Sequence, residues 1–577
     1  MKQLKGHDLA SVNNCAPTCR TADVIVDILA SHGVEVVFGL PGGPIGPILD
    51  ALIDRPQIRV VTTRHEAGAM FSAAGYAQAT GKLGVAVVTS GPGVLNAMTG
   101  LASAYCDGLP VLLLVGEVGR RDHGKGAIQD GSAYSLNIVA MAQHITKFAA
   151  EIYEPNAAAT TLRKAIAEAL SGRRGPVVLT LPMDVTTTAV AAPQVSVQTT
   201  ASYSISPSAI EAGVEAIRSS NRTVLLAGSG VRGGDGPARL REFAERTQCP
   251  VMTTPKGKGV FPENHPLSLG VFGMGGHPST TSFLSAGVDV LLAVGTSLGD
   301  LSTNGWSPLL RPRRSFIHVD IDPQAIGRSY PANLAIAAPA EHFFSAMLER
   351  LPQLPARAFG GIRYHSDAEA VRVGTDGRIA LPRALWEIEQ VFAPDTIYAV
   401  DIGEHFCFAT HYLHVNQPDS YILMLGLGSM GSSISAAIGA KIAHPKRDVV
   451  AICGDGCFAM NAFEIATAVA ERIPIAVFVI NDQRLGMVEI GDTALYGRTP
   501  QYPTTPMNVS KLATALGAES AVVHQPEELL SLESLRRPDR GPVVVEILID
   551  RSIKLPKRER FEANGATQTP KPLRLVN

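Results

Sequence analysis

DGLPVLLLVG, residues 107–116, returns in outline as ERIPIAVFVI, residues 471–480: an acid, a spacer, an aliphatic residue, a proline and then a six-residue apolar run. Each follows a helix-like stretch, Gly100–Cys106 in one case and Ala462–Ala470 in the other. Proline ends a helix and is tolerated at the start of a strand, so both passages read as helix, turn, buried strand. A second pair matches as well: GPVVLTL from Gly175 and GPVVVEI from Gly541. The prolines stand 364 residues apart and the glycines 366, so residues 20–190 and 375–555 are expected to share one topology by internal duplication. Further apolar runs at 85–89 and 449–453 alternate with Ala-rich helical stretches. Nearly continuous apolar strands separated by helices mean parallel sheets covered on both faces, hence an α/β fold built of doubly wound sheets. A third α/β block lies between, at 205–350, with VLLAGSG (224–230), VDVLLAVG (288–295) and FIHVDIDP (316–323). Its Gly228, Gly230 and Gly233 miss the spacing of the dinucleotide fingerprint. Linkers are expected near 190–205 and 352–375.

Length and composition suit this division. The 577 residues exceed what one core holds. With 18% charged residues and a net charge of −2, nothing favours nucleic acid or an anionic membrane as partner. The seven scattered cysteines suit a reducing compartment, and Cys15 and Cys19 have no Cys/His pair nearby to complete a zinc site. No apolar run is long enough for a bilayer, so a cytoplasmic protein is expected. Residues 1–19 read as a leader and the basic 556–577 as a solvated tail, with a lid over the active site as the alternative.

The sharpest local signal is CGDGCF, 453–458, between a buried strand and a helix that Asn461 can cap, with Glu464 in the capping-box position. A strand that runs through glycines into a helix start aims backbone N–H groups at an anion. Asp455 in that turn would repel a bare phosphate, and makes sense if a divalent cation bridges the two. One βαβ unit later, 27 residues on, comes Asp482; parallel neighbours place both carboxylates at one sheet edge, an oxygen-only site suited to Mg²⁺ and a diphosphate.

GDG followed at this distance by Asn-Asn is the signature of thiamine diphosphate enzymes, and the chain resembles them, with Asn481–Asp482 in place of the pair. The resemblance implies Asp455, Asp482 and the backbone carbonyl of Arg484 as metal ligands, with Gly454, Gly456 and Cys457 beside the diphosphate. Asp482 keeps the oxygen, adds a charge and leaves the metal preference open. RHEAGAMFSAAGYAQATG, 64–81, resembles the family's glutamate motif, which gives Glu66 the proton exchange with the cofactor's aminopyrimidine. SGPGVLN, 90–96, adds Pro92 and Asn96 to the cofactor site.

Within the family the chain resembles the acetolactate synthase branch over nearly its whole length. VDIGEHF (400–406) implies Gly403, Glu404 and His405 at the diphosphate; LGLGSMG (425–431) implies Gly428 and a Met430 that props the cofactor; LGMV (485–488) implies Gly486 and Met487 along it. Gln129 in GAIQD takes the place of the branch's active-site glutamine, and with Gly39 of FGLPGG is the candidate for oxyanion stabilisation. The implied reaction decarboxylates a 2-oxo acid and transfers the acyl carbanion to a carbonyl acceptor, in a homodimer or homotetramer whose sites lie between subunits. The branch holds FAD in the middle block; here that is left open, because the Arg expected after VLLAVG is Thr296–Ser297. The Trp that shapes the acceptor pocket is Gly491. Both departures point to a roomier and less cationic acceptor site. The alternatives are a non-ligating decarboxylase, which the lone His123 of the relevant loop disfavours, a flavin-linked oxidase, an inactive regulatory or assembly paralogue, and a plain nucleotide-binding protein.

Overall fold

A computed structural model of the chain describes residues 18–191, 203–355, 377–499, 502, 506–532 and 541–556. The Asn/Pro-containing part of the leader, most of both linkers and the tail from 557 lie outside these residues.

The first block contains β1 (Thr18–Arg20), β2 (Val36–Gly39), β3 (Arg59–Thr62), β4 (Gly84–Val88), β5 (Val111–Glu117), β6 (Phe148–Glu151), β7 (Val177–Pro182) and β8 (Ala189–Ala191). Six of them form a parallel sheet in the order β3-β2-β4-β5-β7-β6. β1 and β8 pair antiparallel, so Thr18 and Cys19 of the expected leader belong to this ribbon. The middle block has β9 (Thr223–Ala227), β10 (Val251–Thr253), β11 (Ser268–Val271), β12 (Val290–Val294), β13 (Ser315–Asp320) and β14 (Leu334–Ala337), in the order β11-β10-β9-β12-β13-β14. The last block has β15 (Ile397–Val400), β16 (Tyr421–Leu423), β17 (Val449–Gly454), β18 (Ala476–Asn481), β19 (Glu519–Val523) and β20 (Val543–Leu548), in the order β16-β15-β17-β18-β20-β19. The first and last orders coincide strand for strand when β2 is laid on β15, and this places VLLLVG on IAVFVI and the two GPVV strands on each other. The fold is α/β with a duplicated outer pair.

The outer blocks meet through equivalent helices. Glu66–Thr80 follows β3 and Ser433–Ala443 follows β16; both are buried on almost every side, which their small residues permit. At the crossing, a Cβ on Gly439 would stand 2.0 Å from the Ser72 carbonyl oxygen, and one on Gly75 2.4 Å from that of Ala436. Glycine at these two positions lets the backbones touch. Core residues of both sheets, Phe38, Leu113, Ala451 and Val477 among them, join in one apolar cluster around this contact. No helix among the described residues is long and apolar enough to cross a membrane.

Candidate active site

In the last sheet the chain passes from β15 outward to β16 and then back across to β17, so strand order reverses between β15 and β17. Open α/β sheets hold ligands at such a switch point, beyond the strands' carboxyl ends. There the helices Glu404–Tyr412, Asp455–Asn461 and Gly486–Tyr496 begin, around an open cleft. Its walls include Gly403, Glu404, His405 and Met430 from one side, Gly454, Asp455, Gly456 and Cys457 at the base, and Asp482, Arg484, Gly486 and Met487 opposite. Gly428 lies outside this lining, on the exposed turn that leads to Met430.

The capping expectation is corrected. The helix after β17 starts at Asp455 itself, and Asn461 ends it. The Asn461 amide is buried, donating to the Gly431 carbonyl at 2.8 Å and Ser435 Oγ at 2.7 Å. Glu464 accepts from the backbone N–H of Arg64 (3.1 Å) and His65 (2.9 Å) and from Thr467 Oγ1 (2.6 Å). Distant buried donors thereby win over a local box, since a carboxylate buried at the block junction must be satisfied there. The result ties the residues just before Glu66 to the helix after the GDG turn.

β17 and β18 are neighbours with Gly454 opposite Ile480, which sets Asp455 and Asp482 at one edge. Burial and the Asp482 charge push the Asp455 carboxyl up to about 6. Asn481 turns the other way and donates to Glu546 Oε1 at 2.6 Å, so only Asp482 of the pair serves the cleft. Arg484 donates from Nε to Asp482 Oδ2 at 2.7 Å and from Nη2 to Glu404 Oε2 at 3.2 Å. Burial pushes Glu404 up to about 7, against the pull of Arg484. Asp455 and Asp482, two crowded carboxylates of which Asp482 is paired with Arg484, offer oxygens that a hard divalent cation could take, with phosphate and water oxygens completing the set.

His405 is 5% exposed, and its Nε2 finds no partner among the described residues. Burial holds its imidazole at about 4, neutral, in a place where an arriving phosphate oxygen would supply the missing contact. The loops around it are braced by Asp401, which the motif reading missed: its carboxylate accepts from Ile402 N (2.8 Å), Gly431 N (2.9 Å) and Ser433 N (3.0 Å). Cys457 donates its thiol to the Ile402 carbonyl at 3.1 Å, and burial raises that thiol. Met430 reaches over Gly456, its Cε 3.3 Å from where a Cβ would be.

The other half stands in the first block. Glu66 opens its helix, 7% exposed, and Asn96 donates to its Oε2 at 3.0 Å. Pro92 is the first residue of the helix that carries Asn96. Gln129 packs over Gly91, at the start of that helix, with its backbone left-handed at φ 63°. Such a conformation costs a non-glycine residue free energy and persists only where neighbours enforce it. Here Asp130 accepts from Gly124 N (2.8 Å) and Ser132 N (3.0 Å), and buried Glu117 accepts from Gly131 N (3.0 Å) and Val118 N (2.8 Å). Glu117 is a second residue without a motif. Burial raises its carboxyl, and its bonds here come from backbone N–H groups, which an amide oxygen also accepts. Glu117→Gln should therefore keep near-normal kcat, whereas Glu117→Ala should lower it on the order of 100-fold through a displaced Gln129; steady-state kinetics of the two variants check this. Gly39 closes β2, its carbonyl accepts from Thr63 N, and a Cβ would meet Val87 Cγ2 at 2.4 Å, so packing also requires glycine at this position.

None of the cleft-lining residues comes from the first block. The Glu66 region and the cleft are thus two separate candidate half-sites, each bordered by exposed apolar side chains: Leu95, Ile128 and Tyr134 near the first, Leu427, Met460, Phe463 and Val488 near the second.

Comparison with known proteins matches each of the three blocks. Residues 19–136 match the thiamine pyrophosphate enzyme N-terminal TPP binding domain, 210–347 the central domain and 401–547 the C-terminal TPP binding domain. An acetolactate synthase large subunit of Corynebacterium glutamicum is 33% identical over 551 residues, 92% of this chain and 86% of the relative. The acetolactate synthase of Mycobacterium avium is 34% identical over 551 residues, 92% and 87%. The large subunit of acetolactate synthase isozyme 3 of Escherichia coli is 32% identical over 561 residues, 92% and 95%.

Proposed function

Because the chain belongs to the thiamine pyrophosphate enzyme family and is a thiamine diphosphate-dependent carboligase of the acetolactate synthase type, we propose that its two half-sites complete each other across two copies, in a homodimer or homotetramer, around the cofactor and Mg²⁺. The observation that carries this is the position of Glu66: buried, held by Asn96 at Oε2, and absent from the cleft that Asp455 and Asp482 share. Its exposed apolar surroundings suit a second copy, since patches of this kind on a lone chain mark interfaces.

The chemistry supplied by bound thiamine diphosphate is a carbon nucleophile that also takes up the electron pair left by departing CO₂. Asp455, Asp482 and the Arg484 carbonyl would hold the cation, and His405 would meet the diphosphate. Glu66 exchanges a proton through Oε1, the oxygen that Asn96 leaves free. Met430 and Met487 add apolar side chains to the cleft lining, which would limit water at the reacting carbon. Gln129, in the loop that Glu117 and Asp130 brace, would stabilise oxyanion charge on the 2-oxo acid.

In the glycine loop of the middle block, backbone packs on backbone. Gly228 and Gly230 lie directly on Gly295, and a Cβ on either would meet its backbone within 2.1 and 2.9 Å. Arg232 of the same loop donates to the Tyr421 carbonyl at 2.9 Å. Where the branch has its acceptor-binding Arg, Thr296 is buried with its carbonyl accepting from His318 Nε2, and Ser297 is exposed. The acceptor is therefore a less anionic carbonyl compound than a second 2-oxo acid. His123 is bonded through Nε2 to the Val118 carbonyl of its own loop, which supports ligation over simple protonation to an aldehyde. The inactive-paralogue reading has no observation in its favour.

Purified enzyme with Mg²⁺, thiamine diphosphate and pyruvate, with and without an aldehyde acceptor, tests the reading. Cofactor-dependent CO₂ release with ligated product rising on addition of the aldehyde is expected. Efficient acetolactate formation from pyruvate alone would overturn the acceptor assignment. No cofactor-dependent CO₂ from any 2-oxo acid would overturn the whole.

A further inference from the structure

We propose that Arg484 is a built-in counter-cation of the metal site: its guanidinium offsets the charge that Asp482 introduces, so that a divalent cation and a diphosphate can share the cleft. The inference rests on the reading of Asp455 and Asp482 as metal ligands. Four carboxylates converge at this edge, Asp455, Asp482, Glu404 and Glu489, and Arg484 reaches three of them: Nε to Asp482 Oδ2 at 2.7 Å, Nη2 to Glu404 Oε2 at 3.2 Å, and Nη1 at 3.8 Å from Glu489 Oε2. Nη2 also donates to the Arg551 carbonyl at 3.2 Å, which fixes the guanidinium from the backbone side. The fork is mostly buried, as are its partners, so water screens these charges weakly. Gly486 leaves room for the cluster: a Cβ there would stand 2.2 Å from Glu404 Oε2 and 3.0 Å from Asp482 Oδ2.

This arrangement divides the labour of Asp482. Oδ2 belongs to Arg484, and Oδ1 remains for a cation held together with Asp455. An asparagine at 482 would present one neutral oxygen and need no guanidinium. Asp482 with Arg484 gives the same net charge while keeping a carboxylate oxygen toward the metal.

Removing the guanidinium should have opposite effects on the two ligands. Without it the carboxylates attract a bare divalent cation more strongly and repel a diphosphate. Mn²⁺ binding to cofactor-stripped protein, followed by the paramagnetic resonance signal of free Mn²⁺, and thiamine diphosphate binding at saturating Mg²⁺, followed by calorimetry, read these separately. Arg484→Met should bind Mn²⁺ about tenfold more tightly and thiamine diphosphate about tenfold more weakly. The double variant Asp482→Asn, Arg484→Met has the wild-type net charge and should return both toward wild type. An Arg484→Met variant unchanged in both affinities would overturn the proposal, as would a double variant no better than the single one. Mn²⁺ binding that survives Asp455→Ala would overturn the metal-site reading and the proposal with it.

Discussion

Glu66→Gln should lower turnover by about 10²–10⁴-fold, the usual contribution of a positioned acid or base, while thiamine diphosphate still binds. Glutamine fills the same volume and can keep the contact with Asn96, but it cannot exchange a proton at Oε1. The lesion is therefore in proton transfer to the cofactor and leaves the fold alone. Hydrogen–deuterium exchange at the cofactor's acidic carbon on the enzyme isolates that step, and should slow in parallel with turnover. A variant that turns over at the wild-type rate would remove Glu66 from the mechanism. The neighbouring residues account for the sharpness expected: Asn96 fixes Oε2 at 3.0 Å, and Glu464 holds the preceding amides of Arg64 and His65.

Asp455→Ala should abolish cofactor retention. Asp455 starts its helix at the base of the cleft, and without it a cation has Asp482 alone as carboxylate ligand. The diphosphate would then face Asp482 and Glu404 with only Arg484 to offset them. Ligand at 100 times its dissociation constant stabilises a folded protein by about 2.7 kcal/mol. Wild type should thus show a rise in melting temperature on addition of Mg²⁺ and thiamine diphosphate together, and Asp455→Ala none. An equal rise in both proteins would show that the cation is held elsewhere.

The parts of this molecule that are legible in the sequence are those written in short range. Apolar strands led in by Pro110 and Pro474 reveal the duplicated sheets, and GDG with Asp482 one βαβ unit later marks the cleft, because parallel topology turns that spacing into adjacency. What stayed hidden is held by contacts across long sequence distances. Asp401 braces Gly431 and Ser433, and Glu464 reaches Arg64 and His65; neither leaves a local pattern. The same cause misdirected the capping expectation at Asn461, whose amide is used by Gly431 and Ser435. Arg484 was expected to matter through its carbonyl, and its side chain emerged as the only cation bonded to Asp482 and Glu404 among the described residues. Gly39, expected at the oxyanion from its motif, also packs so closely on Val87 that a Cβ has no room there, a constraint its motif does not show.

The central claim is that each active centre takes Glu66 from one copy and Asp455 from another. Glu66→Gln and Asp455→Ala proteins, each inactive alone, can be unfolded together, refolded and assayed as a mixture. In a mixed pair one centre carries both lesions and the other carries neither, so a random mixture should recover about a quarter of wild-type activity. A mixture as inactive as its two parents, with mixed pairs demonstrated by differential tagging, would contradict the claim and place both residues in one chain's own site.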